Sequence, residues 1–369
     1  MNQSEEFAVK LDRVQTFLDA HELGGVVLSR GDNFAWLGCG ADNLVNNAAE
    51  TGVASLVVRP DVVTLVTNNI EMERLLTEEL PDVDIGNTEE YPWHEPDRHA
   101  EIVRRLGTGA RMAADDGTAG LPPLPDGFQR LRYMLTAAEV DRYQELGADA
   151  TLAMESAARS VERGMTEREA AALIGEELRV RGITPIVLLV AADERIRRWR
   201  HPLVKHEPIE QYVMLVFCGR RQGLIAAMTR LVHFGQPDEE LMRRHRAVCA
   251  VDAAAILGTR PGRKVAEVFE GIQDAYAENG FPEEWKLHHQ GGGVGYLGRE
   301  FIATPDCKET VRAGQAYAWN PSICGTKCED TILVREEGVA LLTAPSDDWP
   351  TIEAEAEGQT IERPDMLVK

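Results

Sequence analysis

The sequence predicts a mixed α and β chain in two parts, a smaller α/β domain over residues 1–130 and a larger α+β domain over 131–369. Three observations carry this expectation. Helix and strand signals alternate through the first part, as in α/β domains. A Pro/Gly-rich passage, GTAGLPPLPDG at 117–127, then breaks the pattern and reads as a linker. Beyond it, long amphipathic helices come in pairs and alternate with apolar strand pairs. A chain of 369 residues that is 44% hydrophobic has length and apolar content for two cores.

In the first part, residues 5–22 carry helical periodicity, and GGVVLS (24–29), VASLVV (53–58) and VVTLVT (62–67) read as strands bounded by turn residues. NIEMERLLTEEL (69–80) returns to helix. In the second part, Thr136 with Glu139 and Thr166 with Glu169 have the spacing of capping boxes, opening helices that run to about Arg163 and Arg181. QYVMLVF (211–217) and LIAAMTRLVHF (224–234) read as paired strands around a GRRQG turn, followed by helices at about 237–257 and 263–279. A glycine stretch follows, then YAWNPSICG (317–325) and a hairpin over EDTILVREEGVALLT (329–343) with its turn at E-E-G. The acidic tail from Ala344 is expected to wrap the surface.

Charge narrows the partners. Lys and Arg number 39 against 61 Asp and Glu, a net of −22, so nucleic acid and anionic membrane surfaces are excluded as partners; a small-molecule substrate is expected instead. No run approaches the ~18 apolar residues of a membrane span, and MNQSEEFAVKLDR lacks the basic-then-apolar pattern of a signal peptide. The six cysteines are scattered, which suits free thiols in a reducing cytoplasm; Cys324 and Cys328 have no second pair to complete a zinc site.

Five anchors in order, RHP (200–202), MTRLVHFG (228–235), HHQGGGVG (288–295), WNP (319–321) and EDTILV (329–334), give the second part its identity. Their order resembles the pita-bread family of creatinase, aminopeptidase P, prolidase and methionine aminopeptidase. The first part resembles the creatinase-type N-terminal domain. The resemblance implies a pita-bread fold and, from the metal-dependent members, a site in which two Asp, one His and two Glu hold two divalent ions. Here the Asp positions fall at Val216 or Phe217 and at Ala227 or Met228, the His at Gly292 and the first Glu at Asn320. Only Glu329 keeps a ligand residue, and 211–237 contains no Asp or Glu at all. The expectation is therefore no metal and no other cofactor.

GYLGRE (295–300) is more similar to creatinase, a metal-free member that hydrolyses a C–N bond. The resemblance implies proton transfer by His201 and a substrate or intermediate contact at His288, with His289 beside it. Glu329 would act as base, orient water or bind a substrate cation, and Asn320 would hold a carbonyl or amide. Arg299 would clamp a carboxylate, with Glu300 next to it, behind the glycine loop. Arg198, in the arginine run ERIRRWRHP (194–202), would attract an anion, and Phe217 falls at a pocket-lining position. Trp36 and Trp93 are the N-terminal residues expected to reach over a pocket, and a homodimer follows from the family.

The function expected is metal-independent hydrolysis of a C–N bond in a small amino-acid-like, amide or guanidino compound. An Xaa-Pro-type metallopeptidase, a lyase or isomerase, and a binding module without activity are the alternatives.

Overall fold

In the computed structural model, which describes residues 1–369, the elements follow the sequence periodicity closely. Two compact units emerge, one of Met1–Arg132, Thr136–Glu139 and Gln222–Leu224, the other of the remaining residues to Lys369. The first unit begins with α1 (Gln3–Ala20), opened by a capping box from Asn2 and Glu5. Then come β1 (Gly25–Arg30), α2 (Gly31–Leu37), β2 (Thr51–Val58), β3 (Val63–Asn68) and the short α3 (Met72–Arg74), which widens into a π turn over Leu75–Glu79. β4 (Asn87–Tyr91), α4 (Asp97–Leu106) and β5 (Met112–Ala114) complete a five-stranded sheet in the order β4-β3-β2-β1-β5. Trp36 does not reach over any pocket. It is fully buried in this unit, edge-on to Phe128, because α2 turns its apolar face inward; Trp93 is exposed.

α5 (Ala137–Ser160), whose first residues to Glu139 belong to the first unit and the rest to the second, and α6 (Glu167–Arg179) are each started by the expected capping box: Glu139 N donates to Thr136 Oγ1 at 3.2 Å and Glu169 N to Thr166 Oγ1 at 3.3 Å. Next comes β6 (Thr184–Ala192), an additional strand not among those expected above, then the short α7 (Glu194–Arg198). β7 (Tyr212–Arg221) and β8 (Leu224–His233) run longer than expected. Gln222 and Gly223 both take positive φ (49° and 77°), the two-residue turn that matches strand twist and lets pairing continue to the hairpin end. α8 (Glu239–Gly258) and α9 (Val265–Glu278) follow.

A five-stranded sheet in the order β10-β9-β11-β14-β15 is built from β9 (Gly291–Val294), β10 (Phe301–Ile302), β11 (Ala316–Trp319), β14 (Asp330–Val334) and β15 (Val339–Leu341). β12 (Ser322–Ile323) and β13 (Thr326–Lys327) form a small hairpin between β11 and β14. The core lies between α8, α9 and this sheet, around Tyr276, Trp319 and Ile332.

The tail is not a loose surface wrap. β16 (Thr351–Ala356) and β17 (Gln359–Pro364) form a hairpin, and β18 (Leu367–Val368) adds in parallel to β8. Its anchor is Arg363, fully buried, whose Nη2 lies 2.6 Å from both Asp252 and Asp330. Asp330 also receives Arg230 Nη1 at 3.1 Å and Thr343 Oγ1 at 2.7 Å. Charged residues in the tail thus close the core rather than shed into water, which composition alone does not reveal. No helix is long and apolar enough to cross a membrane.

Removing Arg363 leaves the buried Asp252 without a cation and Asp330 with Arg230 alone. Arg363→Met is expected to lower unfolding free energy by about 3–5 kcal/mol, measured by urea denaturation; a loss within experimental error would show the network to be dispensable.

Candidate active site

A cavity of about 310 Å³ opens in the second unit. Its apolar wall follows from strand register. β6 pairs with β7 so that Val187 lies opposite Cys218 and Leu189 opposite Val216, and these four side chains line the cavity. Alternation then sends Phe217 and its partner Leu188 to the other face. Phe217, expected at the pocket, is instead fully buried in the core. Cys218 stays a thiol, its pKa pushed up to about 11, mainly by burial and then by the Glu329 charge, so it offers no nucleophile near neutrality.

The polar wall comes from three loops. His201 follows α7, and its loop is pinned by Arg200, which donates to Ser322 Oγ at 2.9 Å and pairs with Glu284. Arg198 does not take part. It is exposed and pairs with Glu194 one helical turn away, so the arginine run does not converge on the cavity. His288 and His289 lie between the 3-10 turn Glu284–Leu287 and β9. His201 Nε2 and His288 Nε2 are 3.0 Å apart, so one ring donates and the other accepts. His288 stands behind His201, away from the cavity wall that His201 and His289 form.

All three imidazoles are held neutral. Burial, then the Lys327 charge, lowers His201 below its ordinary 6.5. The same two causes take His288 to about 2, and burial followed by Arg299 takes His289 to about 4. The Nδ1 atoms of His288 and His289 and Oδ1 of Asn320 are buried without a hydrogen-bond partner. Asn320, at the end of β11, lines the cavity.

Glu329 is the only carboxylate in the wall, and two cations hold it. Lys327 Nζ lies 2.5 Å from Oε2 and Arg299 Nη2 3.4 Å from Oε1, while Thr229 Oγ1 donates to Oε2 at 2.8 Å. Burial would raise its pKa, but Lys327 and Arg299 outweigh it and the net shift is downward. Glu329 is therefore a weak base. Lys327 was not anticipated from sequence, although its place two residues before Glu329 on an extended segment puts both side chains on one side. Arg299 lines the cavity and its Nε is buried without a partner. Glu300 does not line it; its Oε1 accepts from Tyr296 N at 3.0 Å and Leu297 N at 3.2 Å, which shapes the glycine loop.

The residues present do not fit a two-metal centre. Val216 faces the cavity, which sets the first Asp position there rather than at Phe217. Val216, Ala227, Gly292 and Asn320 offer no charged donor, and Lys327 already occupies the one carboxylate. Gly292 is also closed to a larger residue, since a Cβ there would sit 2.2 Å from Phe301 O on the neighbouring strand. The nitrogens of His201, His288 and His289 lie within 4.8 Å of one another, the spacing of a single-ion site. Yet the rings of His288 and His289 stack face to face, and Lys327, Arg299 and Arg200 charges bear on them, which opposes a divalent cation. Gly292→His, the substitution that would restore the family's ligand, is expected to destabilise the fold by about 1–3 kcal/mol without adding bound metal. Thermal denaturation and metal content check this; a stable variant that gains manganese contradicts it.

The profile of Metallopeptidase family M24 matches residues 141–336, more than half of the chain. An Xaa-Pro dipeptidase of Pyrococcus furiosus is 22% identical over 349 residues, covering 90% of this chain and 97% of its own. An uncharacterized peptidase of Staphylococcus aureus is 22% identical over 225 residues, 58% of this chain and 64% of that relative, so the match spans just under two thirds of its length. Among solved structures, the prolidase from Pyrococcus horikoshii superposes with a TM-score of 0.78 at 20% identity, over 92% of this chain and 99% of that one.

Proposed function

The chain belongs to metallopeptidase family M24, and within it we propose a metal-independent hydrolase that cleaves the C–N bond of a small, carboxylate-bearing amide. One observation carries this reading. A neutral histidine, His201, backed by His288 at 3.0 Å, stands in a cavity whose single carboxylate is neutralised by two cations. Such a wall has a proton acceptor and surplus positive charge, and it lacks the carboxylates a metal pair needs.

In the reaction, His201 takes a proton from water as the water oxygen bonds to the carbonyl carbon. The imidazolium then returns that proton to the leaving nitrogen as the C–N bond breaks, giving an acid and an amine. A depressed pKa makes the imidazolium a strong donor for the second step. Arg299 receives the substrate carboxylate, Asn320 orients the amide, and the Val187, Leu189 and Val216 wall takes an apolar substituent. A guanidinium substrate fits poorly, because Glu329 already serves two cations. A volume of about 310 Å³ lies at the low end for ligand pockets, in keeping with a small substrate.

The second reading is an Xaa-Pro dipeptidase, favoured by the match along nearly the whole chain to a relative of that name. A panel of N-acyl amino acids, Xaa-Pro dipeptides, ureido and guanidino compounds, assayed with and without chelator and with product analysis, separates the two. The expected result is amide turnover unaffected by chelator and reduced about 10²–10⁴-fold in His201→Ala. Turnover of Xaa-Pro substrates that requires added manganese would replace this reading with the second; products of elimination or rearrangement would refute hydrolysis.

The pH profile follows from His201. Its folded pKa is lowered, so the neutral base persists below the ordinary 6.5. The acid limb of kcat/KM should be centred below 6.5, with the base neutral through the physiological range above it. An acid limb centred above 6.5 would remove His201 as the base.

A further inference from the structure

Lys327 sits at the cavity wall, only 6% exposed, at the end of β13, with its Nζ 2.5 Å from Glu329 Oε2. We propose that Lys327 is a catalytic residue: its ammonium, aimed by Glu329, is the fixed positive charge that binds the oxyanion formed when the amide carbonyl is attacked. This rests on the hydrolase reading and specifies its substrate class as a carbonyl compound passing through an anionic intermediate, rather than a cationic amidine.

The argument is one of charge. Two cations, Lys327 and Arg299, share one carboxylate, and the three surrounding imidazoles are neutral. One positive charge therefore has no counter-charge in the wall. In a largely buried site an uncompensated charge is costly unless a bound anion completes it. Arg299 repeats the point at atomic level, with its buried Nε unpartnered. The two cations divide the work by position. Arg299 follows the glycine loop and suits an anion present throughout, the substrate carboxylate. Lys327 is on the segment that carries Glu329; its charge bears on His201 more strongly than that of Arg299 does, and on His288 as well, so it is the cation closer to the proton-transferring pair. An ammonium has three donors, and the bond to Glu329 fixes the direction of the others. Preorganised charge aimed at developing negative charge is usually the largest single contribution to catalysis. As water adds, the carbonyl π electrons move onto oxygen and meet Lys327. When the C–N bond breaks they return, and Lys327 keeps its proton throughout.

The test uses inorganic phosphate as an oxyanion probe, read by calorimetry on the full-length protein, alongside kinetics on the amide panel. Lys327→Met removes the charge and keeps the length. Lys327→Met/Glu329→Gln removes the pair together and guards against a fold lost to an unpaired carboxylate, with thermal denaturation confirming folding. Lys308→Met, at an exposed lysine, controls for net charge. Phosphate affinity is expected to fall roughly ten- to a hundredfold in Lys327→Met, whose wall carries no surplus charge, and to stay unchanged in Lys308→Met; in the double variant, where Arg299 is left without a counter-charge, kcat is the readout. kcat is expected to fall about 10²–10³-fold, with partial recovery in Lys327→Arg. Phosphate affinity within twofold of the parent in folded Lys327→Met, or an unaltered kcat in either folded Lys327 variant, overturns the assignment. The two readings fail separately. Turnover with Lys327-independent phosphate binding rejects this inference alone. Lys327-dependent binding with no amide turned over supports the charge assignment and rejects the hydrolase.

Discussion

Asp330 ties the second unit together. Its carboxylate accepts Arg363 from the terminal hairpin, Arg230 from β8 and Thr343 from the chain after β15, while Arg363 reaches on to Asp252 on α8. Every ion in this network is fully buried, so each must have its partner. The consequence for the site lies in alternation along an extended segment. Cys328 and Asp330 point into the network, where Cys328 Sγ lies 3.2 Å from Asp252. Lys327 and Glu329 must then point the other way, into the cavity. The network that closes the fold also sets the direction of the cavity's charge pair.

That pair changes what the cavity can do. The family's metal pair places charge on ions held by several carboxylates. Here the carboxylates are absent, one acid remains, and an ammonium and a guanidinium lie against it. Positive charge in the cavity is thus supplied by side chains fixed in the fold. Such charge needs no loading, but it ionises no water at neutral pH. In the proposed hydrolase a base would have to generate the nucleophile, and His201, neutral and hydrogen-bonded to His288, is the wall residue proposed for it.

Much of the fold was legible because its signals are local. Both threonine capping boxes, the β7–β8 hairpin and the β14–β15 hairpin are declared by residues a few positions apart. What was not legible depended on distant partners. β6 is apolar without a flanking pattern that separates it from loop, and the terminal hairpin looks like an acidic tail until Arg363 meets Asp252 and Asp330. The site shows the same division. Motif order located His201, His289, Asn320, Arg299 and Glu329, which line one cavity. Phe217, Arg198, Glu300 and Trp36 failed because sequence does not say which way a side chain faces: strand parity, a local ion pair, a loop hydrogen bond and a core position respectively decided each. Lys327 was overlooked because a lysine beside the last ligand position looks like surface charge until its burial is known.

The most direct measurement is metal content by elemental analysis after incubation with manganese or cobalt and desalting. Ligand positions without charged donors, and one carboxylate already paired with Lys327, predict far less than one ion per chain, the same for the parent protein and for Glu329→Gln. Two tightly held ions per chain, lost in Glu329→Gln, would contradict the account at its base.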